Sequence, residues 1–220
     1  MNATLEAVAD IAGVMADYPH AWALCGGWAV DAWLGEVTRA HQDIDIVVFD
    51  DDQLAAYEHL RDRGWHQIAH DEAVGGAVRD LWNGRPLVLP AHVHCARDLD
   101  ALRTWVPSGE PHPGDLYLEV MVNERSGKDW VLNAEPRLAV PIRDSRRASP
   151  WGVPAVVPEV LLFYKATAYF DDGTMASAKP KDDADFHALA ARLGPAERAW
   201  LRNAISAVRP GHAWLASIAG

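Results

Sequence analysis

Apolar residues recur at helical spacing at Leu5, Val8, Ile11 and Met15, which predicts a helix over 3–17 that Pro19 ends. Trp22 to Cys25 reads as a short apolar strand running into Gly26-Gly27, and Trp28 to Leu34 as a helix stopped by Gly35. The period then changes to two: Ile44, Ile46 and Val48 share one face of a strand, and Asp43 and Asp45 share the other. The connection from Gly27 to Asp43 has the length of a strand-helix-strand crossover, a unit that mixed sheets also use. Asp50-Asp51-Asp52-Gln53 has the pattern of a capping box, and Leu54, Tyr57, Leu60 and Trp65 give a helical face that ends near Gly64. His66 to His70 is expected to be a strand. Val78 to Trp82 and Pro86 to Val88, joined by Asn83-Gly84, carry a hairpin signal, and Ala91 to Ala96 continues in β.

Residues 105–114 are a Pro/Gly-rich loop, and Leu116 to Val122 is an apolar strand interrupted by Glu119. Ser126-Gly127-Lys128 turns the chain back toward Trp130 to Leu132. Residues 134–157 are loop-rich, with Pro136, Pro141, Pro150 and Pro154, so a boundary is expected at about residue 150, between a domain of residues 1–150 and one of residues 151–220. Beyond it the pattern is helical: 159–170 with Pro158 at the first turn, Asp182 to Leu193 with Gly194 after it, and Pro195 to Val208. A linking segment, 171–180, lies between the first two.

Half of the 220 residues are hydrophobic and charge is moderate, which excludes a disordered chain and gives enough material for a core. The formal net charge of −11 disfavours nucleic acid as a partner, because its binding rests on basic contacts to phosphate, and favours cationic ligands. Two cysteines, Cys25 and Cys95, make no disulfide framework. The first residues lack a basic leader, and no apolar run has membrane-spanning length. A cytoplasmic protein that meets no membrane is expected. Of the ten tryptophans, most are expected in the core.

Asp43 and Asp45 on one strand face repel each other and are costly to bury, and a hard divalent cation such as Mg²⁺ between them removes that repulsion. Gly26 and Gly27 precede a helix start, where free N–H groups and the positive dipole end hold phosphate oxygens. Glu119 is the candidate third carboxylate, a charge flanked by Leu118 and Val120 with Tyr117 and Met121 on its own face. Arg39 either contacts phosphate or pairs with a surface acid. His41 shares the parity of Asp43 and is assigned to phosphate contact or to capping Asp43, since Mg²⁺ prefers oxygen. Lys165, in the apolar run LLFYKATAYF, either snorkels to water or neutralises phosphate. Asp182 and Asp185 share a helix face and would bind a cationic substrate, anchor Lys165 or cap the helix. His92 and His94 share a strand face beside Cys95; zinc ligation is one reading, a half-exposed histidine pair the preferred one. Rossmann and P-loop readings fail, since neither GxGxxG nor GK[ST] is present.

A glycine pair, one short helix and then DxD in an apolar strand resembles the nucleotidyltransferase superfamily of DNA polymerase beta type. The longer string GGWAVDAWLGEVTRAHQDIDIVV is similar to the aminoglycoside and lincosamide nucleotidyltransferases, most of all to the aminoglycoside adenylyltransferase-like group, and PEVLLFYKA and KPKDDADF extend the likeness toward the C-terminus. The resemblance implies an α+β fold: a mixed β-sheet with flanking helices, then a small C-terminal helical domain. It implies transfer of a nucleoside monophosphate, AMP from ATP or another NTP, onto a hydroxyl of a small, polycationic acceptor, with Mg²⁺ held by Asp43, Asp45 and Glu119. In the family the third acid ligates metal or takes the acceptor's proton, and a helical lysine at the place of Lys165 neutralises triphosphate. Residues 171–178 have the look of an insertion in this pattern. A toxin-like nucleotidyltransferase acting on tRNA or protein, and a non-catalytic nucleotide-binding protein, are the alternatives; the charge argues against tRNA, and the presence of three carboxylates argues against the second.

Overall fold

Ile44, Ile46 and Val48 put one face of the central strand into a dry core, and a seven-stranded mixed sheet is built outward from it. The computed structural model describes residues 5–71, 80–108, 116–167 and 179–218. In chain order the elements are α1 (Leu5–Val14), β1 (Ala23–Leu24), α2 (Gly26–Leu34), β2 (Ile44–Phe49), a 3₁₀ turn (Asp50–Asp52), α3 (Gln53–Arg61), β3 (His66–Asp71), β4 (Ala91–Ala96), α4 (Leu99–Ser108) and β5 (Tyr117–Asn123). The short strands β6 (Arg125–Ser126), β7 (Asp129–Val131), β8 (Ala139–Pro141), β9 (Arg146–Ala148) and β10 (Pro154–Val156) follow, and then the helices α5 (Pro158–Thr167), α6 (Pro180–Ala190), α7 (Pro195–Val208) and α8 (Trp214–Ile218).

The strand order is β3-β4-β5-β2-β1-β10-β9, with β6, β7 and β8 in a separate small sheet. β2 pairs in parallel with β5, and its other edge takes β1 antiparallel. The Gly27–Asp43 connection is therefore a helical link between antiparallel neighbours and not a parallel crossover. The apolar faces of β2 and β5 meet one core, to which Leu118, Val120, Val122, Trp28, Phe163 and Leu201 also belong. A smaller cluster, with Ile68, Leu102, Trp105 and Tyr117, lies where α4 packs against β3 and β4.

Several expectations are corrected. The capping box is absent, because the Gln53 side chain donates to the Asp50 carbonyl and accepts from the Leu87 N–H, while Asp52 pairs with His20 and Arg125. Residues 80–88 form no strand; Trp82 donates to the Gln67 carbonyl through its backbone and to the Arg85 carbonyl through its ring, so this segment caps the edge of the fold instead of making a hairpin. Residues 78 and 79 of that expectation lie outside the described residues, as does 171–178. α4 runs through Trp105 to Ser108, into the stretch expected to be loop. A boundary at residue 150 would cut β10 from the sheet, where it pairs in parallel with β1; the helical part begins at Pro158.

The helical part is joined to the rest by packing and is tied within itself by one half-buried hydrogen bond. α5 and α6 both pack on α2, and α7 packs on α5. Trp214 stacks on Phe186 at 4.3 Å and 9° and donates from its indole nitrogen to Asp183 at 2.6 Å. Among the tryptophans, Trp22, Trp28, Trp65, Trp82, Trp105, Trp130 and Trp214 are buried, as expected of core residues. No described helix is long and apolar enough to cross a membrane.

Trp214→Ala is expected to destabilise the protein by about 3 kcal/mol, the usual cost of a large aromatic cavity. Denaturant melts of the variant and the wild type measure it, and a loss near zero would show that α8 does not hold the helical part in place.

Candidate active site

The parallel register of β2 and β5 sets Asp45 opposite Glu119. Asp43 stands two residues before Asp45, at the entry to β2, so all three carboxylates leave the sheet on the face opposite Ile44, Ile46 and Leu118. Their oxygens lie within 4.8 Å of one another. The acids are half-buried, and the electrostatic consequence is large. Burial first, and then the neighbouring acids, push the Asp45 carboxyl up to about 7 and the Glu119 carboxyl up to about 8. Asp43 is raised as well, mainly by burial, with Lys181 opposing the shift. Three acids that cannot all ionise alone form a hard-oxygen set that suits a divalent cation such as Mg²⁺.

Gly26 and Gly27 open α2 directly beneath this cluster. Gly26 has φ of +60°, and a Cβ there would collide with the Asp45 carboxylate. At Gly27 a Cβ would collide with the Arg39 guanidinium and the His41 ring. Both glycines are thus required by close approach, and the first turn of α2 is brought against the acids. The Cys25 N–H donates to the Asp45 carbonyl at 2.9 Å and locks the turn to β2. Burial, and then Asp45 and Glu119, push the Cys25 thiol well up.

A second layer of charge holds this layer in place. His41 is buried, its Nε2 2.6 Å from Asp31 Oδ2 and its Nδ1 3.0 Å from an Arg39 Nη1 donor. The guanidinium must donate, so His41 accepts at Nδ1 and carries its proton on Nε2 toward Asp31. Burial, the largest cause, lowers the His41 pKa. Asp31 also accepts from Thr38. Arg39 continues to Asp185 at 3.3 Å, Asp185 to Lys165 at 2.8 Å, and Lys165 to Asp182 at 3.0 Å. The network joins α2, the loop before β2, α5 and α6.

These contacts revise several sequence assignments. His41 was expected at phosphate or on Asp43, yet both its ring nitrogens are engaged inside the protein, where it props Arg39. Of the readings open for Asp182 and Asp185, the contacts observed are those of anchors for Lys165, and Asp185 is only 3% exposed. The Cys95 thiol faces the core, away from His92 and His94, and donates to the Val93 carbonyl. Two residues were not identified from the sequence. Asp31 is completely buried in the apolar helix WAVDAWL, and a lone acid in such a run was the available signal. Lys181, exposed at the start of α6, adds positive potential at Asp43 and Asp45; only the fold brings it there.

The sheet face carries a further group next to Glu119. His92 and His94 of β4 and His70 of β3 converge, with His92 Nε2 3.9 Å from Glu119 Oε1. Burial, and then the two neighbouring imidazoles, hold His94 down at about 3. At the other end of β2 and β5 the charge reverses. A cleft of 520 Å³ there is lined by Arg125, Lys128, Arg143 and Arg146. Arg125 opens β6, just past the end of β5, and Asp129 also lines this cleft.

The acids generate a pH dependence of stability. Their pKa values are raised in the folded state above unfolded values of about 4. The native state therefore binds more protons than the unfolded state between about pH 4 and pH 8, and stability falls as pH rises through that window. Without divalent cation, Tm is expected to decline from about pH 5 to pH 8.5, and Mg²⁺ to restore it at the alkaline end. Asp45→Asn should raise Tm at pH 8 in the absence of metal and flatten the profile. A wild-type profile flat across this window, measured by calorimetry, would show that the three acids do not repel.

Residues 7–75 match the family described as Aminoglycoside-2''-adenylyltransferase. No curated protein matches the chain. Among solved structures, the fold is similar to that of the lincosamide antibiotic adenylyltransferase LnuA bound to lincomycin, at 15% identity and a TM-score of 0.53, covering 88% of this chain and 100% of that one. It is similar also to ANT(2'')-Ia in complex with adenylyl-2''-tobramycin, at 18% identity and a TM-score of 0.54, covering 93% of this chain and 98% of that one. A third similar structure is an antigenic nucleotidyltransferase-like protein from Paracoccidioides brasiliensis, at 15% identity and a TM-score of 0.50, covering 97% of this chain and 90% of that one. Residues 7–75 thus match the Aminoglycoside-2''-adenylyltransferase family model, and the fold is shared along most of the chain with solved antibiotic adenylyltransferases.

Proposed function

We propose that this protein transfers AMP from ATP to a hydroxyl of a small cationic molecule of the aminoglycoside type. The observation that carries the reading is the convergence of Asp43, Asp45 and Glu119 within 4.8 Å beside the first turn of α2. A divalent cation bound there, Mg²⁺ by its preference for oxygen, would neutralise phosphate charge and keep the three acids ionised. The open N–H groups of Gly26 and Gly27 cradle phosphate oxygens, and Lys181 with Lys165 offsets the triphosphate charge. The acceptor hydroxyl loses its proton to Glu119. Its oxygen forms a bond to the α-phosphorus as the bond to the bridging oxygen breaks, and pyrophosphate leaves.

Both the acceptor class and the choice of ATP rest on the family match and on charge. The match is to an aminoglycoside-modifying family, and a chain of net charge −11 attracts polycations. The decisive assay combines purified protein, Mg²⁺ and each NTP with a panel of aminoglycosides and lincosamides, reading pyrophosphate release and product mass. No adduct with any aminoglycoside would overturn the acceptor assignment; adducts with lincosamides alone would reassign it. Pyrophosphate release with none of the panel would overturn the reading.

Asp43→Asn and Asp45→Asn are expected to abolish turnover while the protein stays folded. Activity within about tenfold of wild type in either would sink the assignment. Glu119→Gln should lower kcat about 10²–10⁴-fold with little change in acceptor KM, the signature of a group that acts in the transition state. Lys181→Ala should raise the KM for NTP about tenfold and leave acceptor KM unchanged, one exposed cation being worth that much at most. If acceptor KM moves instead, Lys181 does not face the triphosphate.

A further inference from the structure

Sheet alternation puts Asp45, Glu119, His92, His94 and His70 on one face, in strand order β2-β5-β4-β3. The acids account for the first two strands, and nothing in nucleotidyl transfer requires the imidazoles on the other two. Three histidines side by side are an unusual filling for a sheet face, because each ring needs a polar partner when buried and the three repel if protonated. His70 and His92 stack at 4.9 Å and 7°, while His94 stands edge-on to both at 5.0 Å. His94 Nδ1 is buried and has no hydrogen-bond partner among the described residues. One candidate ligand nitrogen from each ring lies within 4.8 Å of the others.

We propose that His70, His92 and His94 form a zinc site, separate from the carboxylate cluster and next to it. Neutral imidazole nitrogens suit a borderline d-block cation and not Mg²⁺, which demands oxygen. Zinc–nitrogen bonds of about 2.0–2.1 Å require the three nitrogens to close to a little over 3 Å, a movement of roughly 1 Å for each ring. His92, whose side chain is 34% exposed, has room for that rotation. The other two are braced: His94 packs edge-on against Trp105 at 4.6 Å, and the β3–β4 pairing sets His70 directly opposite His92. Cys95 faces the core and cannot contribute, so the protein supplies three nitrogens and leaves a fourth position. Glu119 Oε1 lies 3.9 Å from His92 Nε2, beyond hydrogen-bond distance, and would have to close on it to serve as the outer carboxylate that orients a ligating imidazole. The two metal sites would share Glu119 as a neighbour, and zinc bound to the histidines would make it a stronger acid.

The test uses the tag-free full chain, stripped with a chelator, with no nucleotide present. Titration with Co²⁺ is expected to give the intense visible absorption of a tetrahedral site at one equivalent, and Zn²⁺ to bleach it, with excess Mg²⁺ without effect. His94→Asn and His92→Asn should each weaken Zn²⁺ binding by about 100-fold or more, whereas Asp43→Asn should leave it unchanged. Circular dichroism establishes that each variant is folded, and the wild-type titration stands by itself if one is not. Absence of the tetrahedral band in the wild type, or binding that survives in both histidine variants and disappears in Asp43→Asn, would overturn the proposal. Since these readings need neither NTP nor acceptor, the zinc site can fail while nucleotidyl transfer stands, and the reverse.

Discussion

Mutual repulsion among three half-buried carboxylates is the constraint on which the rest of this structure depends. The chain brings Asp43, Asp45 and Glu119 together from segments more than 70 positions apart, through one parallel strand pair. Nothing local favours that. The driving force is on the opposite face, where Ile44, Ile46, Leu118, Val120 and Val122 enter the core. A slip of one residue in the β2–β5 register would bury the acids and expose the aliphatics, so the hydrophobic pattern fixes the position of the site. The site is strained in proportion: Asp45 and Glu119 hold their protons up to about 7 and about 8, well above ordinary carboxyls.

The cations behind the cluster are held by acids of their own. Arg39 and Lys165 are tied to Asp182 and Asp185, and Arg39 is held from behind by His41 and Asp31. A buried ion pair contributes little net stability, but removing one partner leaves an uncompensated charge and is costly. The network therefore acts as a geometric lock: it fixes α5 and α6 against α2 and the loop before β2, and so fixes where Lys181 stands. Asp182 and Asp185 hold cations of the protein itself, Lys165 and Arg39. A cationic acceptor would find its free negative charge at the carboxylate cluster itself.

The sequence made the sheet face legible because a strand has a period of two, and two acids spaced by one residue in an apolar run can only share a face. The same parity marked Glu119, where a charge interrupts an otherwise apolar strand. The links from His41 to Asp31 and from Asp185 to Arg39 were not legible, because each depends on a partner from another element. His41 meets Asp31 only once α2 and the loop before β2 are packed together, and Asp185 meets Arg39 only when α6 docks on α2. The strands β8, β9 and β10 escaped notice because they are three residues each and contain or adjoin prolines. Too short to show a period, they read as loop, and the boundary was drawn through the sheet.

The sheet face now has a gradient that periodicity alone could not reveal. Passing from β2 to β5 to β4 to β3, the exposed polar groups change from paired carboxylates to one carboxylate to imidazoles. Hard oxygen donors and borderline nitrogen donors thus occupy adjoining stretches of one surface, with Glu119 at the junction. A carboxylate at such a junction is subject to both neighbours: the acids raise its pKa, and any cation among the imidazoles would lower it. That makes Glu119 the residue whose protonation responds most to what occupies the face. It is also the residue to which proton transfer is assigned. Under the proposed function, a proton acceptor between two sets of donors with different preferences would have its basicity set without altering the first turn of α2, which is locked to β2 through the Cys25 N–H and the bare backbone of Gly26.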